Sequence, residues 1–184
     1  YADRQPNVII AIGRSSLKFM VESHETSFPN VPLVFCGVTE ELLRQLNPDS
    51  HFTGIWGAIE PEKTLTAALR LQPNTRRVVV VGGVGAFDRD IERNVRDSFR
   101  SYESKLDFTY LTELGMAELR DRLSQLQNDT IVVHTSIMQD ASGESFVDAS
   151  QSVSLVTGAA NAPVFVLDDA SIGGGAVGGN VLSW

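Results

Sequence analysis

The sequence predicts a doubly wound α/β fold with parallel sheets, divided into two lobes. Three observations predict it. Short runs rich in Val and Ile recur along the chain without clean alternation, the pattern of strands covered on both faces. Stretches of helical periodicity lie between most of them. The chain has 184 residues, 42% hydrophobic and 21% charged, enough for one large domain or two small lobes.

The strand-like runs are Val8–Ile12, Val31–Phe35, Val78–Val81, Thr130–Val133 and Val164–Leu167, with a weaker one at Phe108–Leu111. Ser15–Ser23 leads as a helix from the first run toward the second, and Glu40–Gln45 follows the second. Pro61–Leu71 has a helical start, because Pro61 suits a first turn and Leu65, Ala68 and Leu69 recur at helical spacing. Phe87–Tyr102 is amphipathic, with Ile91, Val95 and Phe99 on one face. Met116–Leu126 and Asp148–Ala160 repeat that pattern. From Val78 onward, strand and helix therefore alternate. Right-handed crossovers place the strand-to-helix loops along the carboxyl edge of the sheet, where ligands bind in such folds. The first 45 residues read as a smaller set of the same units, and Phe52–Ile59, with Gly54 and Gly57, as the joint.

Charge and cysteine content exclude several classes. A net charge of −8 argues against a nucleic-acid partner, which needs clustered Lys and Arg. The lone Cys36 allows no intrachain disulfide and no zinc site built on several thiolates. No apolar run reaches the length of a membrane span. Tyr1–Asn7 is polar and unlike a signal peptide, and the chain opens so abruptly that it reads as a fragment of something longer.

Several loops carry possible chemistry. Gly82-Gly83-Val84-Gly85-Ala86 lets backbone N–H groups approach an anion at a helix start, or forms a tight turn. As a dinucleotide fingerprint it fails, because Asp88 stands at the third glycine position. Gly173 to Gly179 holds five of the 15 glycines and serves equally as a ligand loop or a connector. Asp168-Asp169 offers carboxylates to an amine or caps a turn. Arg14 offers a fork for a carboxylate, and Ser15 and Ser16 caps for the following helix. Catalysis finds thin support. His24 and His51 lie in polar, solvated surroundings. His134 ends an apolar strand, and Cys36 ends the second strand with no histidine partner in view. No catalytic residue, metal site or cofactor is assigned.

Four segments together resemble a known family. They are Pro32–Val38, Phe52–Ile55, Leu71–Gly83 and Ala162–Phe165 continuing to Gly178-Gly179. They are similar to the ABC-transporter substrate-binding-like family, of type I periplasmic-binding-protein fold. Gln139–Phe146 resembles a segment of its sensor branch, the extracytoplasmic input domains of bacterial histidine kinases. The resemblance implies two Rossmann-like lobes, the first incomplete in this chain. Residues 1–56 would belong to lobe one, 57–170 to lobe two, and 171–184 to a glycine-rich return toward lobe one.

It also implies a ligand held in an interlobe cleft by Gly13, Arg14 and Ser15, by Phe87 and Asp88, by Ser136, Met138 and Gln139, and by Asp168, Gly173 and Gly174. Gln139 and Gly174 depart from the sensor branch, which often has Arg and His at those places. The expected partner is a small molecule, such as an amino acid or aromatic acid. A homodimer is a further expectation, as is an extracytoplasmic place in an inner-membrane protein attached through parts outside this chain. Sensor input is the first reading. A solute-binding protein of an ABC transporter is the second, and a nucleotide-using Rossmann-type enzyme the third.

Overall fold

A computed structural model describes residues 6–181; the outermost parts of the predicted end segments, 1–5 and 182–184, lie outside it. The chain divides between Ile59 and Glu60 into two compact units.

The first unit runs β1 (Ile9–Ile12), α1 (Gly13–Ser27), β2 (Leu33–Thr39), α2 (Glu40–Leu46) and β3 (Phe52–Gly57). Its three strands are parallel, in the order β1-β2-β3. The predicted joint at Phe52–Ile59 is thus largely a strand. Its two glycines break the apolar run, but Gly54 is what lets it pair. Gly54 stands opposite Phe35, and a Cβ there would overlap the carbonyl oxygen and ring of Phe35. β2 runs past its predicted end to Thr39. A register shift between Phe35 and Val38 absorbs Cys36 and Gly37, with Gly37 at φ +68°. Cys36 therefore lies inside the strand rather than at its end.

Helix α1 continues to Ser27, which corrects the reading of His24 as solvated. His24 is buried in α1, its Nε2 2.7 Å from the Val31 carbonyl oxygen and its ring centroid 5.2 Å from that of Phe52. His51 is exposed as expected, beside Asp49. Ala11, Leu17, Met20, Leu33, Phe35, Val38 and Leu42 form the core on one face of this sheet. The expectation that both faces are covered does not hold here. Ile10 is 63% exposed and Ile12 71%, and Val34 and Ile55 also open to solvent.

The second unit runs α3 (Pro61–Leu71), β4 (Arg77–Val81), α4 (Ala86–Phe99), β5 (Asp107–Leu111), α5 (Met116–Ser124), β6 (Thr130–His134), α6 (Ala149–Ala159) and β7 (Val164–Val166). Its sheet is parallel throughout, in the order β5-β4-β6-β7. Alternate residues of each strand point to opposite faces. Val79, Val81, Val132 and Val164 share a core with Met116, Leu119 and Leu123 of α5 and Val156 of α6. Val78 and Val80 point the other way and are fully buried, and α3 packs on α4. Helices thus cover both faces, which is why β4, β6 and β7 read as unbroken apolar runs. This is the α/β fold, with parallel sheets in Rossmann-like units, that the strand–helix repeat predicts.

Candidate functional site

In the second unit, the chain leaves β4 for β5 on one side and then crosses to β6 on the other. The strand order reverses between β4 and β6, so the loops leaving their carboxyl ends part there. Open α/β sheets bind ligands at such a switch point. Gly82–Gly85 and the start of α4 form one wall; Thr135–Gln139 forms the other.

Asp88 fastens the two walls together. It is completely buried. Its Oδ1 accepts the Ser136 hydroxyl at 2.6 Å and the Met138 N–H at 3.0 Å. Its Oδ2 accepts the N–H groups of Gly85 at 3.1 Å, Met138 at 3.1 Å and Gln139 at 3.2 Å. Two backbone bonds of 2.8 Å reinforce the join, from Gly83 N–H to the Ser136 carbonyl and from Val84 N–H to the Gln139 carbonyl. The Gly83 position is glycine for a steric reason, since a Cβ would overlap the Asp88 carboxylate and the Gln139 carbonyl. The residue that spoils the dinucleotide fingerprint thus has its own use. A carboxylate from within the chain takes the seat that a phosphate would need at the start of α4.

A second buried carboxylate holds the far end of the same loop. Asp140 Oδ2 accepts the Met116 N–H that opens α5, at 2.6 Å. Its Oδ1 accepts the N–H groups of Ser142 and Glu144, both at 2.9 Å, and the Ser142 hydroxyl at 2.7 Å. Burial pushes the Asp140 carboxyl up, but bonds from Ser142, Met116 and Glu144 outweigh it and hold the group below its usual value. Asp140 was not among the predicted site residues. Its signal was local: Asp followed two residues later by Ser is a common side-chain-to-backbone turn.

Asp88, Ser136, Met138 and Gln139 are brought together by this network, and Phe87 adjoins it on α4. Phe87 and Met138 turn outward, 52% and 40% exposed. Asp168, Gly173 and Gly174 follow β7. Asp168 Oδ1 caps a short turn, accepting the Ser171 N–H and hydroxyl, both at 2.9 Å. Gly174 lies against α6, where a Cβ would stand 3.1 Å from Val153 Cγ1 and Ser154 Oγ, and its carbonyl accepts the Thr157 hydroxyl. Gly173, at φ +96°, turns the chain into that contact. Gly13, Arg14 and Ser15 open α1 in the first unit, at the carboxyl end of β1; Arg14 and Ser15 are exposed. The expected serine cap is absent. The helix begins at Gly13, and Ser16 bonds back to the Gly13 carbonyl at 3.0 Å.

His134 ends β6 beneath these loops. It is buried, its Nε2 3.5 Å from Ser152 Oγ of α6, and its Nδ1 has no hydrogen-bond partner. Desolvation pulls its pKa from 6.5 to about 4, so the ring is neutral near pH 7. Among the described residues, no cluster of His, Cys, Asp or Glu is placed to hold a metal ion, and no helix is long and apolar enough to cross a membrane.

No family model matches the sequence, and no curated protein does. Solved structures do. A conserved domain protein from Vibrio cholerae O1 biovar eltor aligns with a TM-score of 0.64 at 18% identity, over 96% of this chain and 59% of that one. An extracellular ligand-binding receptor from Verminephrobacter eiseniae aligns with a TM-score of 0.57 at 13% identity, over 89% of this chain and 45% of that one. This chain therefore spans about half the length of these neighbours. At such identities the likeness establishes shared fold: parallel α/β units of the kind found in an extracellular ligand-binding receptor.

Proposed function

We propose that this chain is the small-molecule-binding part of an extracytoplasmic sensor, the input domain of a two-component histidine kinase. The observation that carries the binding reading is the switch point between β4 and β6. Its two walls are bolted together by buried Asp88, so the edge is held in one shape, as a receptor site requires. The extracellular ligand-binding receptor among the structural neighbours supports the same class. The sensor assignment rests on the resemblance of Gln139–Phe146 to the sensor branch. A solute-binding protein feeding a transporter would use the same edge. A nucleotide-using enzyme is disfavoured by the aspartate seated where a phosphate would bind.

The test is a thermal-shift and calorimetric screen of the chain against amino acids, aromatic acids, sugars and nucleotides. A ligand at a hundred times its Kd stabilises by about 2.7 kcal/mol. One such ligand is expected, without turnover, and adding it to the full-length protein changes kinase autophosphorylation. A nucleotide that alone binds and is consumed would overturn the binding reading. Ligand-dependent uptake without any phosphorylation response would replace the sensor with the transporter.

A further inference from the structure

We propose that two copies of this chain pair through β5, side by side and antiparallel, so that the sheets of their second units join into one. The joint uses the lateral margin of the sheet and not the loops at its carboxyl ends, so it does not depend on the ligand reading. β5 and β7 are the outer strands of that sheet. The chain itself closes off β7: Val166 N–H donates to the Gly178 carbonyl at 3.0 Å, and Val177 N–H to the Val164 carbonyl at 2.8 Å. Among the described residues, no segment does the same for β5. Asp107 N–H donates to the Arg76 carbonyl and Gly82 N–H to the Leu111 carbonyl, so Asp107, Thr109 and Leu111 turn their backbone groups toward β4. The N–H and C=O groups of Phe108 and Tyr110 therefore point away from the sheet. The usual guards are missing too: β5 contains no proline, and its pairing with β4 runs without a bulge. A regular strand with an open ladder is a template for another strand.

The sequence around that margin complements itself. A two-fold axis through Thr109 sets Phe108 of each copy against Tyr110 of the other, and their outward N–H and C=O groups then bond in pairs. Both rings lie on the α4 face, where Phe108 meets Phe99 and Arg96 covers Tyr110. They stack within one copy at 6.3 Å between centroids, so the pairing extends an aromatic row across the joint. On the opposite face Thr109 meets Thr109. Just beyond the strand ends, Lys105 comes opposite Glu113 of the second copy, and symmetry repeats that contact. Lys105, Thr109 and Glu113 are all exposed. Sliding the pairing until Tyr110 meets Tyr110 would set Asp107 against Glu113, two like charges. Charge thus selects both the occupant and the register. Space is open beside the far end of β5: a cavity of about 310 Å³ is lined by Glu92, Arg96, Tyr110 and Thr112 among others, and Tyr110 Oη has no hydrogen-bond partner.

Sedimentation equilibrium of the chain at up to about 1 mM is expected to show monomer and dimer in exchange. Lys105→Glu or Glu113→Lys alone puts like charges at both symmetric contacts and is expected to weaken the dimer about tenfold, and the double exchange to restore it. In a Cys36→Ser background, Thr109→Cys is expected to give a disulfide-linked dimer under mild oxidation. Residues opposed in this way stand about 4.5 Å apart between Cα atoms, within disulfide reach. Lys105, Thr109 and Glu113 are exposed, so their variants fold, and their circular dichroism matches the parent. The proposal is overturned if the chain stays monomeric, or if the crosslink does not form. It is also overturned if a dimer ignores the single reversals or is not restored by the double exchange; such a dimer would use another surface, for which the open face at Ile10 and Ile12 is the next to test. Each of these failures leaves the ligand-binding reading standing.

Discussion

Single residues at the β4–α4 turn are set by atoms packed around them. Gly83 is glycine because the Asp88 carboxylate and the Gln139 carbonyl occupy the volume of a Cβ. Gly83→Ala must push the carboxylate off its donors or part the two walls. The expected cost is about 2–4 kcal/mol, combining overpacking with buried donors left unpaired. Gly158 is the internal control. It lies in α6 with open space around its missing Cβ, so Gly158→Ala is expected to stabilise by about 0.5–1 kcal/mol. Urea denaturation of both variants reads the two signs, and equal effects would refute the packing argument. The candidate loops were legible at this scale because Gly, Asp and Ser cluster after Val and Ile runs. The inward turn of Asp88 was not. A sequence shows which groups can accept hydrogen bonds, but not that four chain donors converge on one carboxylate, three of them from residues about 50 positions away.

At the element scale, β6 and α6 are coupled through His134 and Ser152. The imidazole is buried among apolar strands, and desolvation lowers its pKa from 6.5 to about 4. The unfolded chain therefore binds the proton first. Between these two values the unfolded state carries more protons, so stability falls as pH falls, then levels off below about 4. The stability at stake is on the order of 3 kcal/mol, full above pH 6.5. Asp140 acts lower still: its folded pKa is depressed, so its contribution is present above the usual carboxylate range and lost as pH falls through the folded value. Urea midpoints at pH 7.0 and 4.5 should thus differ markedly in the parent. In His134→Gln, which has no titrating ring, most of that difference should vanish. A parent whose stability is flat across this window would show that His134 is solvated when folded. Elements were the most legible level of this chain. α3 was read to the residue, and the remaining helices within a turn or so at either end. β3 was missed because two glycines and a tryptophan hide its period, and β2 was cut short because its bulge at Gly37 looks like a turn.

Across the whole molecule, the two units obey the parallel-sheet rule differently. The second buries its sheet under helices on both faces. The first buries one face and leaves Ile10, Ile12, Val34 and Ile55 open on the other. Sequence alone hides this asymmetry, because Val8–Ile12 is as apolar as Val78–Val81; only the placement of the helices separates them. Water-facing isoleucines on a parallel sheet make a patch that apolar dyes bind and that adds little to stability, since removing it loses no buried contact. Ile10→Thr together with Ile12→Thr keeps β-branching and hence strand preference. The double variant is expected to bind far less anilinonaphthalene sulfonate than the parent, by severalfold in fluorescence. Its unfolding free energy should stay within about 0.5 kcal/mol of the parent. Loss of several kcal/mol instead would mean that Ile10 and Ile12 are packed, and that something covers this face in solution. Unchanged dye binding with unchanged stability would place the exposed apolar surface elsewhere, with the second-unit edge at Phe87 and Met138 the next to test by the same assay.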